Sequence, residues 1–164
     1  MTMEAITQFT GIAIPLGQDD VDTDRLIPIR FLRKPLSDGY GNFLLRDDRF
    51  NADGSEKEFI LNAEPYNKAG VIVADRNFGC GSSRESAVYA LYEFGIRCVI
   101  APSFGDIFAN NCSKNGLLAV VLPEAACATI RRQLRDHVGA TVAIDLAAQT
   151  VTDVAGGVQF RTAL

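Results

Sequence analysis

The sequence predicts a single α/β domain built on a mixed sheet with parallel strands at its centre. Short apolar runs alternate with amphipathic segments between residues 70 and 122, which is typical of βαβ units. Further strand-like segments lie near both ends of the chain. Because 164 residues make one ordinary domain, and no linker or internal repeat is visible, we expect residues 1–164 to form one unit.

The elements follow in order along the chain. Strands are predicted from β-rich or continuous apolar residues at 5–16, 70–75, 97–101 and 117–122, with two or three more in 141–161 around a hairpin turn at Gly156 and Gly157. Helices are predicted from apolar spacing and from bounding glycine or proline at 83–94, 104–115 and 123–138. Residues 17–26 are predicted to form an acidic loop.

A long charged segment separates the first two predicted strands. Residues 33–58 contain several glycines and a proline among many charged residues, and they show neither helical nor strand periodicity. We expect a long loop with little regular structure. Loops of this length are commonly functional or mobile, so we also expect it, and residues 33–50 in particular, to be mobile without partner or substrate.

Composition and charge exclude several classes of protein. A net charge of −4 and a pI near 5.0 leave no basic field for a phosphate backbone, so we expect no nucleic-acid partner. The apolar runs are too short to cross a bilayer, and the first residues show no secretory-signal pattern, so we expect a cytoplasmic protein that binds no membrane. The four cysteines form no close pair, which favours reduced thiols over a zinc, iron–sulfur or disulfide framework.

The strongest motif is the segment NFGCGSSRE at residues 77–85, which follows a predicted buried strand and opens a predicted helix. Its glycines allow close backbone approach, and the free N–H groups of a helix N-terminus favour an anion. Ser82 and Ser83 add hydroxyl groups, and Arg84 adds a guanidinium that can pair with a carboxylate through two contacts. The segment therefore predicts a carboxylate or phosphate site at the carboxyl end of a central strand. The alternative is a plain helix cap, with serine at the N-cap and Glu85 behind it.

A second motif is the run Asp20-Val21-Asp22-Thr23-Asp24. It begins like a calcium-binding EF-hand loop, but arginine stands at the sixth position and phenylalanine at the twelfth, which excludes that interpretation. Dinucleotide-binding, P-loop and hydrolase-elbow patterns are also absent. A solvated loop and a carboxylate placed near an active site both remain open for this run.

Three segments in order carry a resemblance to a known family: DDVDTDRLIPIRFL, NFGCGSSRES and APSFGDIFANNCSKNGLL. They resemble the small subunits of bacterial 3-isopropylmalate dehydratases, which correspond to the swivelling domain of aconitases. The resemblance extends from about Phe9 to about Asp153. It implies a swivelling β/β/α domain of the aconitase type. It also implies a hydro-lyase of leucine biosynthesis that is active only with a large subunit.

The resemblance assigns roles residue by residue. Ser82 matches the serine that, as an alkoxide, takes the proton next to a substrate carboxylate. Asp24 matches the acid of the aspartate–threonine–aspartate stretch that faces the cluster side. The residues expected to bind the small dicarboxylate substrate are Ser83, Arg84, Gly81 and Thr23. The resemblance places the 4Fe–4S cluster on the large subunit, so we expect this chain to bind no metal or cofactor of its own.

Two positions depart from the family pattern. Ser86 stands where most members carry histidine, and Cys80 stands where aconitases commonly carry glutamate, so we expect Cys80 to be a small buried residue and not a nucleophile. Typical bacterial small subunits also carry a further C-terminal segment. The alternatives left open are a hydratase subunit for citraconate, dimethylmaleate or homoaconitate, and a carboxylate-binding module without activity.

Overall fold

A seven-stranded mixed sheet with strand order β4-β3-β2-β1-β5-β6-β7 organises the fold. The computed structural model describes residues 8–81, 84–153 and 157–161. The strands are β1 (Gln8–Pro15), β2 (Val71–Val73), β3 (Cys98–Ala101), β4 (Leu118–Val121), β5 (Thr141–Asp145), β6 (Thr150–Asp153) and β7 (Val158–Arg161). Strands β1 to β4 pair in parallel, whereas β5 pairs antiparallel with β1 and continues into an antiparallel ladder with β6 and β7. The structure thus confirms the predicted mixed α/β sheet.

Helices cover both faces of the parallel strands. They are α1 (Thr23–Leu26), α2 (Arg46–Arg49), α3 (Glu85–Phe94), α4 (Asp106–Lys114) and α5 (Glu124–Asp136). Helices α3 and α4 pack together on one face, and α5 packs against β1, β2 and β3. Alternate strand residues divide between two cores, with Ile72 in the first and Val71 and Val73 in the second. Because both faces of β2 and β3 are buried, these strands appear in the sequence as continuous apolar runs.

The predicted elements between residues 70 and 161 are confirmed within one or two residues at most ends. The apolar spacing that predicts α3 corresponds to buried Ala87, Val88 and Leu91. Pro123, which is predicted as the first helical residue, is the N-cap of α5, so the helix begins one residue later, at Glu124. Residues 5–7 of the predicted first strand and Gly156 of the predicted turn lie outside the described residues.

The segment between β1 and β2 corrects two predictions. The predicted acidic loop at 17–26 contains the one-turn helix α1, and the predicted loop at 33–58 contains α2 and several 3-10 turns. We call residues 16–70, the segment between β1 and β2, the excursion. Its 3-10 turns are Ile29–Phe31, Leu36–Asp38, Tyr40–Asn42, Ile60–Asn62 and Tyr66–Lys68. One-turn elements have no periodic signal, because tertiary contacts and not helix propagation stabilise them.

The excursion is anchored in the main core. Leu44 and Leu45 are fully buried there, and the Leu45 N–H donates to the Leu26 carbonyl oxygen at 2.9 Å. Residues 51–58, in contrast, are exposed. The mobility of the segment stays a prediction, and the burial of Leu44 and Leu45 argues that motion concentrates in the exposed part.

Candidate active site

The carboxyl ends of β1, β2 and β3 meet at one edge of the sheet, and the loops that follow them are hydrogen-bonded together. The Gly79 N–H donates to the Val21 carbonyl at 2.7 Å, and the Thr23 N–H donates to the Cys80 carbonyl at 2.9 Å. The Phe78 N–H donates to the Ser103 carbonyl at 3.1 Å. Three sequence-distant loops therefore form one backbone-linked surface, at the edge where parallel α/β sheets commonly bind ligands.

Glycine is required at the centre of this surface. Gly79 has a φ of +77°, and a Cβ atom there would overlap the ring of Phe108. Gly81 has a φ of +94°, with Thr23 Oγ1 at 3.5 Å from the position a Cβ atom would take. The close approach that the motif predicted is therefore real, and it serves the packing of the loops on each other.

Helix α1 presents the aspartate–threonine–aspartate stretch. Asp22 is its N-cap, and the Asp22 carboxylate accepts a hydrogen bond from the Arg25 N–H at 2.8 Å. Thr23 is buried, whereas the Asp24 side chain is 54% exposed. The stretch is thus not a simple solvated loop, because Asp22 caps α1 and Thr23 is buried.

The structure brings Asp24 and Arg84 together across sixty positions of sequence. The Arg84 Nη1 forms an ion pair with Asp24 Oδ1. The Arg84 side chain is only 13% exposed, so its guanidinium is held largely within the protein. The guanidinium thus pairs with a carboxylate of the protein itself, and a substrate carboxylate would have to displace or share this contact.

Ser82 and Ser83 lie outside the described residues. Their neighbours are described: Gly81 is the last described residue before them, and Arg84 is the N-cap of α3. The structure therefore contradicts the capping alternative in its simple form, because the N-cap position carries arginine and not serine. Since Arg84 makes no side-chain capping bond, the first N–H groups of α3 receive no cap from it.

Burial and the neighbouring acidic groups both raise the pKa of the Cys80 thiol. Burial raises this pKa most, followed by the charges of Asp20 and Asp22. The thiol therefore stays protonated near neutral pH, as expected for a residue that is not a nucleophile. Cys80 is partly exposed, which corrects the prediction that it is buried.

Several supporting residues escaped the sequence analysis. The Ser103 hydroxyl oxygen accepts a hydrogen bond from the Asn77 N–H at 2.8 Å, and its position just after a predicted strand was a usable signal. Arg131 lies on the buried stripe of α5, donates to the Ala74 carbonyl and pairs with Asp75 at 3.3 Å. Its spacing with the apolar residues of that helix was the available signal.

The cysteines do not fit an iron–sulfur cluster. Among the described residues, no three histidine, cysteine, aspartate or glutamate side chains are grouped to hold a metal ion. Burial raises the pKa of Cys112 to about 12 and that of Cys127 to about 11, and it also raises the pKa of Cys98, so these three thiols belong to the core. In the part of the chain that the structure describes, no helix combines the length and apolar character needed to cross a membrane.

Comparison with known proteins identifies the family to which the chain belongs. The model of the aconitase C-terminal domain matches residues 3–125. The chain is 48% identical over 151 residues to the 3-isopropylmalate dehydratase small subunit of Cereibacter sphaeroides, covering 92% of this chain and 75% of that relative. The chain belongs to the family of 3-isopropylmalate dehydratase small subunits.

Further relatives of the family agree. The small subunit of Gluconacetobacter diazotrophicus is 48% identical over 150 residues, covering 91% of this chain and 72% of the relative. A crystal structure of a 3-isopropylmalate dehydratase from Methanocaldococcus jannaschii matches with a TM-score of 0.69 and 32% sequence identity, covering 95% of this chain and 81% of that one. The predicted family, and with it the aconitase-type fold, is therefore confirmed.

Proposed function

We propose that the chain is the small subunit of a two-subunit hydro-lyase that interconverts 2-isopropylmalate and 3-isopropylmalate through 2-isopropylmaleate in leucine biosynthesis. The observation that carries this proposal is the Arg84–Asp24 pair at the carboxyl edge of the parallel strands, in a chain of this family. It supports a site in which an arginine holds a carboxylate next to a surface that a larger partner can cover. The proposal includes a cytoplasmic location, which remains a prediction.

Arg84 is the proposed anchor of the substrate. The substrate carboxylate would replace or share the contact that Asp24 makes, so that binding exchanges one carboxylate for another at the same guanidinium. Gly81 and Thr23 are the proposed flanking residues, on segments joined by the hydrogen bond from the Thr23 N–H to the Cys80 carbonyl. Ser83 would add a hydroxyl group next to Arg84 in sequence.

Ser82 is the proposed general base. In the sequence it follows Gly81 directly and stands two residues before Arg84, the proposed substrate anchor. As an alkoxide it would remove the proton from the carbon next to a carboxylate held by Arg84. Asp24 would act beside it as the second ionisable group of this half-site.

The 4Fe–4S cluster belongs, in this proposal, to the large subunit. The described residues of this chain offer no grouped ligands, so the chain would supply substrate-binding and proton-transfer groups only. Iron and sulfide analysis of the isolated chain after anaerobic reconstitution tests this division. We expect neither element in stoichiometric amount, and one cluster per isolated chain would contradict it.

Ser86 favours one alternative. It is half-buried in the first turn of α3, two residues after Arg84, at the position where the family resemblance predicts histidine. A changed residue so close to the substrate anchor is what an altered substrate preference would need. The alternative is therefore the small subunit of a related hydratase that acts on citraconate, dimethylmaleate or homoaconitate.

Co-expression with the large subunit from the same source tests the function. The purified complex would be assayed with 2- and 3-isopropylmalate and with a panel of other substituted malates. We expect the highest kcat/KM for the isopropylmalates. Preference for another substrate would favour the alternative, and a stable complex with no activity on any substrate would favour a binding module.

A further inference from the structure

Helix α1 consists of one turn and cannot hold its own conformation, because nucleation of a helix costs more than a single turn returns. It nevertheless carries Asp24, the partner of Arg84. Its first residue is fixed to the glycine loop by the hydrogen bond from the Thr23 N–H to the Cys80 carbonyl. The orientation of Asp24 therefore depends on what holds the other end of the turn.

The other end is held by the excursion. The Arg25 guanidinium forms two parallel contacts with the Asp48 carboxylate, from Nε to Oδ2 at 3.0 Å and from Nη2 to Oδ1 at 3.2 Å. These side chains are 32% and 26% exposed, which limits solvent screening of the pair. Next to it, the hydrogen bond from Leu45 to Leu26 joins the two segments through their backbones. Helix α1 thus contacts α2 on one side and α3, the helix that follows Arg84, on the other.

A neighbouring ion pair provides an internal control. Arg30 also contacts an aspartate of α2, Asp47, through two nitrogen atoms. These side chains are 56% and 62% exposed, and Arg30 belongs to the 3-10 turn Ile29–Phe31, in which we identified no site residue. Both pairs join an arginine to an aspartate of α2 through two nitrogen–oxygen contacts. They differ in exposure and in the element that they fix.

We propose that Arg25 is a positioning residue of the active site, which acts through Asp48 to hold α1 so that Asp24 faces Arg84. The excursion is then a buttress of the half-site and not only a surface loop. This inference rests on the proposed function for its kinetic consequence, whereas its structural consequence is independent of the reaction.

The kinetic test uses Arg25→Met, Arg25→Lys and Asp48→Asn in the assembled complex, with Arg30→Met as the matched control. We expect Arg25→Met and Asp48→Asn each to lower kcat/KM about tenfold, mainly through KM, since small displacements of positioning groups have effects of this size or larger. Lysine keeps the charge but not the two parallel contacts, so Arg25→Lys should lie between wild type and Arg25→Met. The double variant Arg25→Met with Asp48→Asn should be no worse than either single variant, because the pair acts as a unit. Arg30→Met should stay within twofold of wild type.

The structural test uses hydrogen exchange of the isolated chain. Arg25→Met should increase amide exchange at least tenfold over residues 24–27 and leave the exchange in β2 and β3 unchanged, and Arg30→Met should leave residues 24–27 unchanged. Should Arg25→Met fail to fold, Arg25→Lys provides the same comparison.

Equal exchange and equal kinetics in the Arg25 and Arg30 variants would overturn the positioning role. A wild-type complex without activity would instead count against the proposed function, and the exchange comparison would still decide the role of Arg25.

Discussion

The parallel and antiparallel halves of the sheet differ in where their strand ends lie. In the parallel half, β1 to β4, every carboxyl end reaches the same edge, so the loops after β1, β2 and β3 can bond to one another. In the antiparallel half, β5 to β7, successive strands end at opposite edges. The described candidate site residues, which are Thr23, Asp24, Gly81 and Arg84, all lie in segments that follow strands of the parallel half. The comparison shows that a site built from several short loops needs a topology that brings the loops together.

The two halves also use glycine differently. Gly79 in the parallel half has a φ of +77° and packs against the ring of Phe108. Gly157 in the antiparallel half has a φ of +66°, and no atom of the described residues lies within 4 Å of the position that an added Cβ atom would take. One glycine is required by packing and by backbone conformation, and the other by backbone conformation alone.

The largest expected effect follows from this difference. Gly79→Ala should lower the free energy of unfolding by about 3–5 kcal/mol. The cost of the left-handed backbone conformation in alanine and the cost of the overlap with the Phe108 ring add to each other. Gly157→Ala should lower it by only about 1–2 kcal/mol. Urea denaturation of the three proteins measures both values. Similar losses for the two variants would contradict the packing role of Gly79.

The next effect concerns the substrate anchor. Arg84→Lys should raise KM roughly tenfold or more with a smaller change in kcat, since lysine keeps the charge and loses the two-point contact with a carboxylate. Arg161→Lys, at the end of β7, is the matched control and should leave both constants unchanged. Steady-state kinetics of the assembled complex is the measurement. An unchanged KM for Arg84→Lys would remove Arg84 from the substrate site.

A smaller effect concerns thiol reactivity. Of the four cysteines, only Cys80 is not buried, so iodoacetamide should label Cys80 first in the folded chain. Because burial and nearby carboxylates raise its pKa, the thiolate fraction is small at neutral pH, and the labelling rate should keep rising as the pH increases beyond 9. Mass spectrometry of peptides labelled at several pH values provides the test. Rapid labelling at pH 7 would be inconsistent with this environment.

The smallest effect is expected in the antiparallel half. Gln159→Ala removes a side-chain contact of 3.4 Å to Thr152 Oγ1 and should change the free energy of unfolding by no more than about 0.5 kcal/mol. The activity of the complex should be unchanged. A clear loss of activity would show that the functional surface extends beyond the parallel edge.

The same comparison explains what the sequence could reveal. The apolar runs of β2 and β3 and the spacing of Ala87, Val88 and Leu91 predicted the parallel core, because burial dictates those patterns. The motif with Gly79 predicted a close backbone approach, which the structure shows. The position of β1 between β2 and β5 was not predictable, since strand order depends on long-range pairing that leaves no local pattern.

The excursion marks the limit of sequence-based prediction. Its one-turn helices and the Arg25–Asp48 contact have no periodicity to detect, and charged residues in a loop ordinarily indicate solvent exposure. The approach of Asp24 to Arg84 was implied only by their shared family role, not by their spacing. Both features arise from tertiary contacts between segments that are distant in sequence.

Substitution of Ser82, the proposed proton-transfer residue, tests the central claim that the parallel edge of the sheet supplies half of an active site. The measurement is the rate of 2-isopropylmaleate formation from 3-isopropylmalate by the assembled complex, with Ser82→Ala compared with wild type and with the control Ser55→Ala at equal cluster content. A general base contributes ~10²–10⁴-fold, so Ser82→Ala should lower kcat by about that factor with KM little changed, and Ser55→Ala should match wild type. A Ser82→Ala complex that keeps nearly full kcat would contradict the account.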